Sequence, residues 1–171
     1  MYPFPLDLPV VPASDGAGEV VEVGSKVTLF KKGDKVVTLF NQGHQYGDID
    51  QRAAKTGLGG VLDGTLRQYG TFNEHGLVHA PKNLSDGESA TLTCAALTAW
   101  NALYGLRPLR PGQTVLVQGS GGVSMFGLQV CLEHYYRPSK FEIYLLIRQS
   151  LRKRRVLRSS RPHHRPKKRT N

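Results

Sequence analysis

The sequence predicts an α/β chain whose N-terminal part is mainly β. Three observations carry this. Up to residue 79, short runs rich in β-branched residues alternate with glycine-containing turns. From Ala90 to Leu103 the texture changes to alanine and leucine without a breaker. At 115–117 a short, wholly apolar run leads straight into a glycine loop and a second helical pattern.

Residues 17–23 (AGEVVEV) alternate around β-branched positions and stop at Gly24, as a strand does. Residues 27–30 (VTLF) and 35–40 (KVVTLF) repeat that character. Between them Lys32-Gly33-Asp34 is a turn signal, with Gly33 free to take a positive φ. Residues 57–64 (GLGGVLDG) read as a glycine-rich loop, and 66–72 and 76–79 as two further short strands. Short strands with frequent turns predict a small barrel or sandwich.

Ser85 is placed to cap a helix, with Glu88 at the capping-box position. Residues 90–103 then predict one or two buried helices, and residues 110–113 a turn. Val115-Leu116-Val117 has the continuous apolar character of a strand buried on both faces. Residues 122–133 predict an amphipathic helix that packs through Val123, Phe126, Leu128 and Val130. Residues 134–138 (HYYRP) break it, because proline lacks the donor and disfavours helix in the residue before it. Residues 141–147 (FEIYLLI) fit one strand or one helical turn. Residues 148–171 hold almost no core-forming side chains and are expected to be disordered.

At 171 residues with 39% hydrophobic residues, the chain suits one ordinary domain with a core. No apolar run approaches the roughly 20 residues of a membrane span, and residues 1–5 lack the features of a signal peptide. Cys94 and Cys131 lie in apolar surroundings and read as reduced, buried thiols of a cytoplasmic protein. The net charge of +10 is unevenly spread. Residues 1–147 carry 12 Lys+Arg against 13 Asp+Glu, whereas 148–171 carry 11 Lys+Arg and no acid. The basic stretch can be read as a nucleic-acid tail, but it lacks interleaved aromatics and any binding motif. The break near Val130 falls in mid-helix. A shifted reading frame, a retained intron or an erroneous gene model accounts for it more simply than an evolved tail.

The chemistry concentrates at Val115–Ser124 (VLVQGSGGVS). A glycine turn lets a backbone approach a pyrophosphate, and the amides of the following helix N-terminus stabilise its charge. The candidate cofactor-binding residues are therefore Gly119, Ser120, Gly121, Gly122, Val123 and Ser124. Ser124 stands where the third glycine of the fingerprint would be. An ordinary glycine-rich turn remains the alternative, because the acidic residue sought about 20 residues further on is absent.

Residues 12–24 (PASDGAGEVVEVG), 30–36 (FKKGDKV), 63–69 (DGTLRQY), 90–92, 97–100 (LTAW) and the glycine loop follow one another in the order found in the medium-chain dehydrogenase/reductase superfamily. Over roughly residues 3–130 the chain resembles that family, and within it the zinc-independent, quinone-reductase-like alcohol dehydrogenase homologues. The resemblance implies a partial GroES-like catalytic barrel at 1–97, late in its start. It implies the first strand, loop and helix of a Rossmann domain at 98–133, then a divergent basic tail at 134–171. It further implies NADPH or NADH as cofactor and hydride exchange with a small carbonyl, alcohol or quinone. In the full-length family it allows a homo-oligomer.

Thr98 falls where the family places residues near the nicotinamide and phosphates, and equally well in a core helix with Trp100 as filler. Ser14 and Asp15 occupy the places of the histidine and glutamate of zinc members. A serine hydroxyl is a poor zinc ligand, so no zinc is expected. His44, His75 and His79 read as ordinary surface or packing histidines. Tyr46 lies in a polar loop where members of the family line the active-site mouth, and reads equally as a solvated tyrosine, the simpler of the two. No catalytic residue is assigned. The chain is expected to be inactive alone. Two other readings are a non-enzymatic basic protein that binds nucleic acid through 148–171, and a dead fragment that binds an intact homologue.

Overall fold

A computed structural model describes residues 8–110, 113–135, 142–146 and 156–158. The chain divides into two compact units, Met1–Thr98 and Ala99–Asn171.

The first unit is built on an antiparallel sheet of β1 (Ala17–Glu19), β2 (Lys35–Thr38) and β3 (Leu77–His79), in that order. Its register sets Gly18 opposite Val36 and Val37 opposite Val78. Val36, Val37 and Thr38 are buried, so β2 is the spine of this unit. The turn between β1 and β2 is tied by Val20 N to Asp34 O at 2.9 Å and by Gly33 N to Val20 O at 2.7 Å. Gly33 takes φ +92°, the left-handed conformation expected of it.

Two expected strands are absent. Residues 27–30 form no ladder, because the amides of Thr28 and Leu29 both donate to the Glu74 carboxylate, each at 2.9 Å. Residues 66–72 form none either. Leu66 N donates to Pro12 O at 3.1 Å, and bends follow at Arg67 and Gln68. The expected loop at 57–64 is a loop, with Gly59 at φ +75°.

α1 (Asp86–Ala90) opens with the predicted capping box. Ser85 Oγ accepts from Glu88 N, and the Glu88 carboxylate accepts from Ser85 N at 2.9 Å. A π-helical turn (Leu92–Ala96) leads into α2 (Leu97–Tyr104). These helices are not buried as expected. Ala99 is the buried residue of α2, whereas Trp100 is 52% exposed and leans on Tyr104 with ring centroids 4.7 Å apart. Cys94 is also exposed, because its neighbour Thr93 takes the inward position on the π-turn.

The second unit contains β4 (Thr114–Gln118), α3 (Gly122–Tyr135), β5 (Glu142–Leu146) and β6 (Val156–Arg158). β5 runs parallel to β4 and β6 antiparallel to β5, so β4, α3 and β5 form a βαβ unit. Residues 142–146 thus take the strand rather than the helical alternative. β4 is not buried on both faces. Val117 is buried but Leu116 is 59% exposed, since α3 covers one face of the strand among the described residues. On α3, Gly127 and Cys131 are buried and Phe126, Leu128 and Val130 half-buried. Val123 is exposed, because it lies in the first turn at the edge of the packed face. Val156–Arg158 is a strand inside the stretch expected to be disordered, and its apolar Val156-Leu157 pair suits that role. The rest of 148–171 lies outside the described residues.

Candidate functional site

β4 delivers the chain to a turn at Gly119, whose φ of +93° a side-chain-bearing residue rarely adopts. The turn reverses the backbone so that α3 starts at Gly122. The first helical hydrogen bond, Met125 N to Gly121 O at 3.0 Å, leaves the amides of Gly122, Val123 and Ser124 without intrahelical acceptors. A 14-residue helix adds the positive end of its dipole there. Ser124 Oγ donates to Gln118 O at 2.8 Å and so ties the first turn of the helix to the last residue of the strand. A Cβ built on Gly121 would meet nothing within 4 Å, so the space beside that residue is open.

Gly119 to Ser124 therefore come together in one solvent-facing turn. Its free amides and open approach fit the pyrophosphate of a dinucleotide. Thr98 is exposed on α2 and belongs to the other compact unit. The position just past Leu146, where an acidic partner for a ribose would be sought, lies outside the described residues.

In the first unit, Ser14 and Asp15 sit on a tightly held segment. Ala13 takes φ +70°, its carbonyl accepts from Thr65 N at 2.9 Å, and Ser14 O accepts from Thr38 Oγ1 at 2.8 Å. Ser14 Oγ donates to Asp15 Oδ1 at 2.8 Å, so hydroxyl and carboxylate satisfy each other. Among the described residues, no three His, Cys, Asp or Glu side chains cluster to hold a metal ion.

His79 packs on Phe30 with ring centroids 4.7 Å apart, and His44 Nε2 pairs with Gly47 O at 3.0 Å. Tyr46 is 86% exposed. It lines a polar cleft of about 560 Å³ that also gathers Gln42, His44, Asp48, Asp50, Asn73 and His75, of which the sequence reading singled out only the loop at Tyr46. No local spacing announces it, since Asn73 and His75 arrive from a distant turn.

Residues 2–82 match the alcohol dehydrogenase GroES-like domain. The chain belongs to the medium-chain dehydrogenase/reductase superfamily. A zinc-type alcohol dehydrogenase-like protein of Schizosaccharomyces pombe is 52% identical over 134 residues, which are 77% of this chain and 39% of that protein. A chloroplastic quinone oxidoreductase of Triphysaria versicolor is 36% identical over 135 residues, covering 75% of this chain and 36% of the relative. The crystal structure of a NAD-dependent alcohol dehydrogenase superposes with a TM-score of 0.67 at 32% identity, over 83% of this chain and 42% of that one. This superfamily member thus spans about two fifths of the length of the relatives it matches. No helix among its described residues is long and apolar enough to cross a membrane.

Proposed function

We propose that the turn at Gly119–Ser124 binds the pyrophosphate of NADPH or NADH. In this reading the protein is a cytoplasmic oxidoreductase that exchanges hydride with a small carbonyl, alcohol or quinone. Residues 1–97 form its GroES-like part and 98–133 open its Rossmann domain. The observation that carries the reading is the βαβ unit, whose turn holds Gly119 at a positive φ and leaves the amides of Gly122, Val123 and Ser124 without intrahelical acceptors. The names of the relatives, an alcohol dehydrogenase that uses NAD and a quinone oxidoreductase, support the same chemistry.

When bound, the nicotinamide supplies or takes the hydride. The chain's own part is to hold the pyrophosphate through the amides of Gly122, Val123 and Ser124. Ser124 fixes their direction through Gln118. The reading also dispenses with zinc, since Ser14 and Asp15 satisfy one another. Three amide contacts at roughly 0.5–1.5 kcal/mol each give an affinity of about millimolar at best. Turnover by this chain alone is therefore not expected.

The test is a titration of the isotopically labelled chain with NADPH and NADH, read at individual amides by NMR. Signals of Gly119–Ser124 should move first. Gly121→Asp should abolish the response without disturbing the fold, because the added side chain meets open space and repels the phosphates. Unmoved loop signals at millimolar nucleotide would refute the reading, as would a Gly121→Asp chain that binds equally well. Elemental analysis of the purified chain should find no stoichiometric zinc; one tightly held zinc per chain would refute that part.

A further inference from the structure

The polar cleft of the first unit is walled by two stretches, residues 42–53 and 73–75. Side-chain amides bridge them. Gln42 Nε2 donates to Leu39 O at 2.7 Å and to Gly76 O at 3.0 Å, and Gln45 Nε2 donates to His75 O at 3.4 Å. Each stretch is also tied to itself. His44 Nε2 pairs with Gly47 O, Asp50 Oδ1 accepts from Ala53 N at 2.6 Å, and Asn73 Oδ1 accepts from His75 N at 2.9 Å. The cleft is therefore shaped before anything enters it. These ties leave polar groups over. Among the described residues, no hydrogen bond or ion pair takes up the Asp48 carboxylate, the His75 ring or the Tyr46 hydroxyl. Asp50 keeps its second oxygen, and Asn73 keeps its amide N–H groups.

We propose that this cleft binds a neutral, polyhydroxylated ring. The chemistry of the lining selects it. The carboxylates of Asp48 and Asp50 only accept hydrogen bonds, whereas the Asn73 amide and an imidazole N–H donate them. A ligand that satisfies both kinds must donate and accept at closely spaced positions, which is what a run of hydroxyls does. An anion would face the two carboxylates. An organic cation would answer the carboxylates but leave the amide and imidazole donors unused, and Tyr46 is the one aromatic of the lining to stack on it. A quinone accepts without donating, and the cleft offers it little apolar wall beyond Tyr46 and Ala53. The C–H face of a hydroxylated ring can rest on Tyr46 while its edge meets Asp48 and His75. The volume of about 560 Å³ lies within the range of about 300–1,000 Å³ usual for small-molecule sites. The site lies wholly within the first unit, so the binding stands apart from the glycine turn. It also chooses among the substrates of the proposed oxidoreductase, favouring a polyhydroxylated alcohol over a quinone; that clause alone rests on the proposed function.

The probe is methyl β-D-glucopyranoside, added to the isotopically labelled chain and read at individual amides by NMR. Signals of residues 43–50 and 73–75 should shift together and saturate in about the millimolar range. Asp48→Ala removes a carboxylate from an exposed position and should weaken binding about tenfold. His75→Ala, also at an exposed position, should weaken it several-fold. Arg52→Ala, exposed and outside the lining, should bind like wild type. Cyclohexanol, a ring with a single hydroxyl, and butylammonium should leave the same signals in place. The proposal is overturned if the glucoside moves neither stretch at tens of millimolar, or if either control ligand binds as tightly. Asp48→Ala and His75→Ala chains that both bind like wild type would overturn it too. A parallel titration with NADPH keeps the two readings apart. Glucoside binding beside a glycine turn that ignores NADPH would uphold this site and refute the nucleotide reading; the reverse would strike this site alone.

Discussion

The hydroxyl of Thr93 donates a 3.0 Å hydrogen bond to the main-chain carbonyl of Thr38, and both residues are buried. Thr38 is a junction. Its own hydroxyl donates to Ser14 O and accepts from Gly16 N, so β2, the segment before β1 and the π-turn all meet at one residue. Replacing Thr93 by valine keeps the shape and removes the donor, leaving a buried carbonyl short of a partner. The expected cost is about 1–3 kcal/mol, read as a lower denaturation midpoint by far-ultraviolet circular dichroism, with Thr93→Ser retaining most of the stability. Equal midpoints for wild type and Thr93→Val would show that the bond contributes nothing.

Ala13 holds a left-handed conformation that glycine adopts without strain, whereas Gly59, also left-handed, has the Ala13 backbone only 2.7 Å from where a Cβ would be. The two positions should respond with opposite sign. Ala13→Gly should stabilise by about 1 kcal/mol, and Gly59→Ala should destabilise by more than that. Thermal midpoints decide it, and a shift of the same sign in both variants would contradict the account.

Glu74 is held below the ordinary carboxylate value of 4.5, first by the Leu29 amide and then by the Thr28 amide. A carboxylate with a depressed folded value stabilises above its unfolded value, and that contribution disappears as pH falls through the folded one. Glu74→Gln should therefore lower the melting temperature at neutral pH and converge with wild type in strong acid. Parallel curves over the whole range would remove Glu74 as the clasp of residues 28 and 29.

Cys94 is exposed, whereas Cys131 is 1% exposed and its thiol is pushed up by burial. Alkylation reacts with the thiolate. Iodoacetamide near neutral pH should label Cys94 promptly and Cys131 only after denaturation, as peptide mass mapping would show. Equal labelling of both in the folded chain would mean that α3 is not packed as described.

What was legible in the sequence is what is local. The Ser85–Glu88 box, the Gly33 turn and the strand–glycine–helix passage at 115–124 are each specified within a few residues. The strands expected at 27–30 and 66–72 failed because a strand exists only with a partner. For Thr28 and Leu29 the partner is Glu74, more than forty residues away, and it is a side chain. Burial failed for a similar reason. The apolar runs around Cys94 and Trp100 reveal hydrophobic content without revealing which face is covered. Of the polar cleft at His44 and His75 only the loop at Tyr46 was legible, because two distant turns build it.

Trp100 is the single tryptophan of the chain, and it stands half in solvent against the tilted ring of Tyr104. Intrinsic fluorescence is thereby a local instrument. Its emission starts near the wavelength of a hydrated indole and has little further to move on denaturation. An unfolding curve recorded that way reports the fraying of α2 and is nearly blind to the strands around Val36 and Val37.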